Sequence, residues 1–141
     1  MAMASGNHAI NALPNLIYRV YYIIMLRKKA SSFSYAFKGL STGFKEETSL
    51  QIQIALGIIT VILGLYFQIS VVEWLFVFGM IGMVLTAELF NTALEELCDM
   101  MRSTHDPHVA KIKDLAAGAV LIASLTAFVV GACIFLPHFL A

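Results

Sequence analysis

The chain has 141 residues, of which 60% are hydrophobic and 13% charged, against roughly 45 to 50% and 25% in soluble domains. With a mean hydropathy of +0.83, this composition excludes an ordinary soluble enzyme. Nine Lys plus Arg balance nine Asp plus Glu, so no net positive field marks a nucleic-acid partner. Cys98 and Cys133 have neither a CxxC nor a Cys/His zinc spacing and read as small apolar fillers.

In chain order, residues 1–30 read as an N-terminal extension, interfacial or loosely ordered. Residues 16–26 are apolar apart from Arg19, but Pro14 and Arg19 interrupt them. The basic cluster Arg27, Lys28, Lys29 follows this run instead of preceding it, the wrong order for a signal peptide. A surface helix over 32–47 comes next. Phe33, Phe37, Leu40 and Phe44 recur at helical spacing, while Ser34, Lys38, Ser41 and Lys45 take the other face, the pattern of an amphipathic helix lying in a membrane surface.

Residues 48–72 contain no charge over 25 positions, more than the roughly 20 a helix needs to cross a bilayer. A first span is expected over 48–70. The connection at 66–72 is short enough to force an antiparallel hairpin into a second helix over 71–101, apolar at first and then polar. Residues 102–109, with Pro107 and several polar groups, read as a loop. A third span is expected over 112–136, with 22 uncharged residues from 115 to 136 and Pro137 as its stop. The architecture expected is therefore all-α and integral to the membrane, with three transmembrane helices behind a surface helix. Basic residues precede the first span (Arg27, Lys28, Lys29, Lys38, Lys45) or lie between the second and third (Arg102, Lys111, Lys113). The positive-inside rule then puts the N-terminus and the second connection on the cytoplasmic side, with Glu73 and Trp74 at the outer interface.

The chemistry lies on the second helix. At about 100° per residue, Glu88, Asn91, Glu95 and Asp99 share one stripe. Ionisable groups in a span are costly and must find a partner, a cation or water. Glu88 falls near the cytoplasmic edge of the hydrocarbon. Glu46 and Glu47 end the surface helix at the same edge, and Lys113 with Asp114 open the third span there. Carboxylates that can hold Mg²⁺, a lysine that can neutralise phosphate, and a carboxylate that can accept a hydroxyl proton suit phosphoryl transfer. Neither G-x-x-x-x-G-K-[ST] nor G-x-G-x-x-G is present, so this is no P-loop enzyme or ordinary protein kinase. Gly79 and Gly82 read as helix-packing positions. His105, Asp106, His108 and Cys98 lack metal-site spacing and read as a solvated loop.

These residues resemble the small prokaryotic lipid kinases that include diacylglycerol kinase and undecaprenol kinase. The stretch Glu88-Leu-Phe-Asn91-Thr-Ala-Leu-Glu95-Glu-Leu-Cys-Asp99 is similar to that family's E-x-x-N-[ST]-A-[IL]-E-x-x-x-D signature. Lys111-Ile-Lys113-Asp114-Leu-Ala-Ala-Gly118 and Tyr35-Ala-Phe-Lys38-Gly39-Leu are similar to two further blocks. The resemblance implies a membrane kinase domain over 31–141, a homotrimer with shared active sites, ATP as co-substrate and Mg²⁺ as cofactor. It implies Glu88 as general base on the lipid hydroxyl with Asn91 in support, and Glu47 and Glu95 as metal ligands beside the ATP phosphates. It further implies that Lys113 and Asp114 hold the nucleotide, that Lys28 and Tyr35 flank it, and that Thr104, His105 and Asp106 touch it. Ser49 and Gln53 stand where many undecaprenol-type members carry Asn and His, while Glu73-Trp74 and the small-residue run from Ala116 look more like that branch. The lipid acceptor stays open between diacylglycerol and undecaprenol. A small oligomeric ion- or proton-conducting protein, with Glu88 and Asn91 as the relay, is the alternative, although conduction asks for ionisable groups along the whole path.

Overall fold

A computed structural model of the chain describes the backbone of residues 5–101 and 106–140; side chains of 5–18, 20 and 26–30 lie outside the description. Among the described residues all regular structure is helical, in α1 (Ser5–Glu46), α2 (Thr48–Phe67), α3 (Val71–Met100) and α4 (Pro107–Leu140). The last three are long and apolar enough to cross a membrane, which agrees with the runs of uncharged residues. The chain falls into two compact units, residues 1–41 and 42–141.

The first unit is helical from Ser5 onward, and α1 passes residue 31 without a break. Phe33, Phe37 and Leu40 are exposed, and Ser34 and Lys38 are exposed too.

In the second unit α3 is central and packs on both α2 and α4. The hairpin between α2 and α3 is shorter than expected, only Gln68, Ile69 and Ser70. Gln68 closes α2 in the left-handed conformation, φ 52° and ψ 47°, and the Ile69 N–H donates back to the Gly64 carbonyl at 3.2 Å. Ser70 then opens α3 with a capping box, its N–H donating to Glu73 Oε2 at 2.7 Å and its hydroxyl accepting from the Glu73 N–H at 3.4 Å. Ser-Val-Val-Glu is a sequence signature of a helix start, so Glu73 does more than mark an interface.

Small residues on α2 receive large ones from α3. A methyl group on Gly64 would stand 2.8 Å from the Trp74 ring, and one on Gly57 would stand 3.4 Å from Ile81. These pairs are two helical turns apart on both helices, so they fix an antiparallel register. The same step carries it to Leu50 on α2 and Glu88 on α3, both buried. The hydrophobic core lies toward the hairpin end, where Ile69, Val77, Ile134 and Phe135 are buried together.

α4 departs from expectation at both ends. It begins at Pro107 and not near residue 112. Asp106 Oδ1 accepts from the His108 N–H at 2.8 Å, and a proline in the first helical position loses only an N–H that would have been unpaired. Nor does Pro137 stop the helix, which runs on to Leu140. A proline costs one hydrogen bond to the preceding turn, and aromatic contacts hold the short remainder: Phe67 stacks on His138 at 5.5 Å and meets Phe139 edge-on at 4.8 Å. His138 Nε2 also lies 3.9 Å from Glu73 Oε1. Gly79 and Gly82 were expected at helix contacts, but a methyl group on either would meet nothing within 4 Å among the described residues. Cys98 and Cys133 are both free.

Two substitutions test the hairpin. Gly64→Ala forces the Trp74 ring aside and should cost about 1–3 kcal/mol, read as a lower midpoint for thermal loss of monodisperse protein in detergent. Gln68→Gly removes the left-handed penalty of about 1 kcal/mol and should raise the same midpoint; a fall would mean the Gln68 side chain contributes more than its backbone costs.

Candidate functional site

The site is built at the end of the second unit away from the hairpin. The last turn of α1 enters it at Gly43, where a methyl group would stand 3.2 Å from both Leu50 and Leu89. That close approach brings the end of α1 against α2 and against α3 beside Glu88. The chain then breaks at Glu47, whose backbone is extended at φ −106° and ψ 110°. Gln51 holds the corner, donating from Nε2 to the Phe44 carbonyl at 2.9 Å, one of the acceptors a helix C-terminus leaves unpaired. Glu47 stands at the N-cap of α2, but its side chain makes no capping bond. By the register of the two helices it comes level with Asn91, one turn beyond Glu88.

Glu88 is 4% exposed and is the one buried charged residue among those described. Its carboxylate Oε2 accepts a hydrogen bond of 2.9 Å from Gln53 Nε2 on α2. One turn on, Asn91 Nδ2 donates to Glu95 Oε1 at 3.0 Å. Asn91 Oδ1 and Gln53 Oε1 are both buried without a hydrogen-bond partner. Two orphaned acceptor oxygens close to Glu88 are groups for which a cation, a hydroxyl or water would be the natural complement.

At the far end of the stripe Lys113 Nζ meets Asp99 Oδ1 at 2.5 Å. This pair joins the last turns of α3 to the first turns of α4. The side chains are 35% and 68% exposed, so it is a surface contact that solvent weakens and a competing anion can exchange. Asp114 is exposed.

Of the residues expected at a nucleotide site, the fold gathers Glu47, Glu88, Asn91, Glu95, Lys113 and Asp114 at one end of the second unit. Tyr35 belongs to the first unit and is exposed. Asp106 serves as the cap of α4. Thr104 and His105, and the side chain of Lys28, lie outside the described residues. Among those described, no three His, Cys, Asp or Glu side chains converge as a ready metal cluster. Sequence reasoning missed two partners: Gln53, which holds Glu88, and Asp99, which pairs with Lys113. The second could have been anticipated, since Asp99 already stood on the polar stripe.

An apolar groove of about 560 Å³ leads away from the site between α2, α3 and α4. Gln53, Leu85 and Ser124 line its end nearest Glu88, and Leu63, Val77 and Phe139 its end nearest the hairpin. From Gln53 to Leu63 it follows about 15 Å of α2.

Comparison with known proteins places the chain in a family. Residues 34–135 match the profile of the family described as prokaryotic diacylglycerol kinase. The chain is 33% identical over 112 residues to the undecaprenol kinase of Bacillus subtilis, covering 79% of this chain and 91% of that one. It is 38% identical over 113 residues to a diacylglycerol kinase of Synechocystis, covering 78% of this chain but only 63% of the relative. Identity to the diacylglycerol kinase of Escherichia coli strain K12 is 22% over 105 residues, covering 74% of this chain and 86% of that one. With the matched segment running from the end of α1 through all three spans, the chain belongs to the prokaryotic diacylglycerol kinase family, a family of integral-membrane lipid kinases.

Proposed function

We propose that this protein transfers the γ-phosphoryl group of ATP to the hydroxyl of a membrane lipid, diacylglycerol or undecaprenol, at the cytoplasmic face of a bacterial inner membrane. The observation that carries the reading is Glu88, a buried carboxylate held by a neutral amide at the end of an apolar groove. A carboxylate in that position accepts a proton from an alcohol whose tail lies in the groove. An ion pair would need a cationic side chain beside it, and the side chain hydrogen-bonded to it is uncharged.

The acceptor oxygen attacks the γ-phosphorus in line as Glu88 takes the hydroxyl proton; the new O–P bond forms while the bond to the β-phosphate oxygen breaks, and ADP leaves. No phosphoenzyme is needed. Catalysis then rests on positioning and on neutralising charge. Lys113 exchanges Asp99 for phosphate oxygen, and Asp114 beside it contacts the nucleotide, as do Tyr35, Lys28 and the connection at 104–106. The all-oxygen donors Glu47, Glu95 and the orphaned Asn91 Oδ1 suit a hard cation. They would hold Mg²⁺, which neutralises the phosphate oxygens when bound.

We further propose a homotrimer with active sites shared between subunits. Only 17%, 11% and 17% of the apolar windows of α2, α3 and α4 are buried within the chain, so most of each span is left for lipid or for other copies. The open faces at Gly79, Gly82 and Gly118 allow helices to approach closely, which is what drives association where lipid supplies no hydrophobic force. The conducting-protein alternative gains nothing from the structure, since the groove that crosses the middle of the spans is lined by apolar side chains with only Gln53, Thr60 and Ser124 among them carrying polar groups.

The test is phosphate transfer from labelled ATP with Mg²⁺ in mixed micelles doped with either lipid. Glu88→Gln should lower kcat by about 100- to 10,000-fold, and Glu95→Gln should abolish measurable transfer, both with assembly intact by size-exclusion chromatography; full turnover by either would defeat its assigned role. Lys113→Ala should raise KM for ATP about tenfold or more while leaving KM for the lipid within about twofold, as loss of one charge-assisted phosphate contact predicts. An equal rise in both KM values would mean the lysine acts on the fold and not on the nucleotide.

A further inference from the structure

We propose that the end of α4 beyond Pro137 is a pH-sensitive clasp: a protonated His138, held between the Phe67 ring of α2 and the Glu73 carboxylate of α3, ties the last turn of α4 to the hairpin, and a neutral one lets it go. The proposal stands apart from the reading of Glu88, since every group in it lies at the other end of the spans. Pro137 sits inside α4 and has no N–H to give to the preceding turn, so the turn it opens is tied less firmly to the rest of the helix. Side chains supply the hold. Phe67 meets three rings of α4, Phe135 at 6.3 Å, His138 at 5.5 Å and Phe139 at 4.8 Å. Of these three only His138 can carry a charge.

Both contacts of His138 reward a cation more than a neutral ring. Its Nε2 lies 3.9 Å from Glu73 Oε1, beyond the reach of a hydrogen bond, so a neutral imidazole gains little there, whereas opposite charges attract at that distance. The His138 and Phe67 rings are stacked with their planes 21° apart, which sets an imidazolium over an aromatic face. Glu73 is engaged through its other oxygen, since Oε2 accepts from the Ser70 N–H and caps α3. One carboxylate thus fixes where α3 starts and, when His138 is charged, where α4 ends. No other charge competes: Glu73 is the only charged residue from 48 to 87, and none stands from 115 to 137. The other titratable groups at this end are the Tyr66 phenol beside Phe67 on α2 and the Cys133 thiol on α4. The His138 and Glu73 side chains are 34% and 31% exposed, so protons reach the pair from solvent. Imidazole is the side chain whose charge ordinarily changes between about pH 5 and 8. Phe135, Leu136 and Phe139 line the hairpin end of the apolar groove, so the clasp also decides whether that end is shut.

The experiment follows thermal loss of monodisperse protein in detergent at about pH 5.5 and about pH 8.5, either side of the imidazole range, for the full chain and for His138→Gln, His138→Arg and Glu73→Gln. His8, His105 and His108 titrate in every variant, so only differences between variants count. The protonated form makes both contacts, so the stability they contribute is present at the acidic pH and lost as pH rises. The advantage of wild type over His138→Gln in midpoint should therefore be about 2–6 °C larger at the lower pH, the scale of one exposed ion pair with a cation–π contact in a chain of this size. Glu73→Gln should remove most of that pH-dependent gain. His138→Arg keeps a charged plane over Phe67 and beside Glu73 at both pH values, and its advantage over His138→Gln should not change with pH. Amide hydrogen exchange over residues 136–140, corrected for its intrinsic pH dependence, should slow at the lower pH in wild type and not in His138→Arg. The proposal is overturned if the advantage of wild type over His138→Gln is the same at both pH values within about 1 °C, or if that of His138→Arg varies with pH as wild type's does. Should His138→Gln fail to assemble, wild type against His138→Arg decides: midpoints that run parallel between the two pH values would sink the clasp, and a wild-type midpoint that falls away from that of the arginine variant as pH rises would sustain it.

Discussion

A carboxylate buried in a membrane span is the constraint around which this fold is arranged. Glu88 cannot be solvated by hydrocarbon, and leaving it unpartnered would cost several kcal/mol. Here it is met by an uncharged donor on the neighbouring helix. The arrangement keeps the carboxylate available, where a buried ion pair would have satisfied it and silenced it. If Glu88 is the base proposed above, packing of α2 on α3 is a condition for the chemistry and not merely for stability.

That packing is set at the opposite end of the spans. Gly64 admits the Trp74 ring and Gly57 admits Ile81, with a three-residue turn and a capping box fixing where α3 starts. A helix is stiff along its axis, so a register imposed at the hairpin is delivered four turns later, where Leu50 faces Glu88. One residue of slip would rotate Glu88 by about 100° and take it away from Gln53. The bulky aromatic and glycine contacts at the apolar end and the polar contacts at the other are two halves of one device. At the end nearest Glu88, the last turn of α1 presses Gly43 against Leu50 and Leu89 and turns Glu47 toward the level of Asn91.

Much of this was legible in the residues. Uncharged runs located three spans because the hydrocarbon core tolerates nothing else over that length, and a stripe of Glu88, Asn91, Glu95 and Asp99 follows from helical geometry alone. What was not legible came from contacts between elements. Gln53 carries no periodic signal, and its partner is on another helix, so its meaning appears only once the register is known. Pro107 and Pro137 were read by local rule as loop and stop, yet one lies where a helix start needs no N–H and the other is held by Phe67 packing on His138 and Phe139. Asp106 also serves as the cap of α4.

The separation of polar and apolar ends also bears on why the reaction is interfacial. A phosphoryl donor is an anion of high charge and stays in water, whereas the acceptor's tail stays in hydrocarbon; their reacting atoms meet only at the boundary. Placing Glu88 where the groove begins and Lys113 one further step outward, paired with an exposed aspartate, matches that gradient. In the proposed mechanism the buried base would face the lipid, and the solvated cation the nucleotide. The stripe from Glu88 to Asp99 is thus a ladder of decreasing burial, from 4% exposure at Glu88 to 68% at the Asp99 side chain, along which one helix passes from membrane to water.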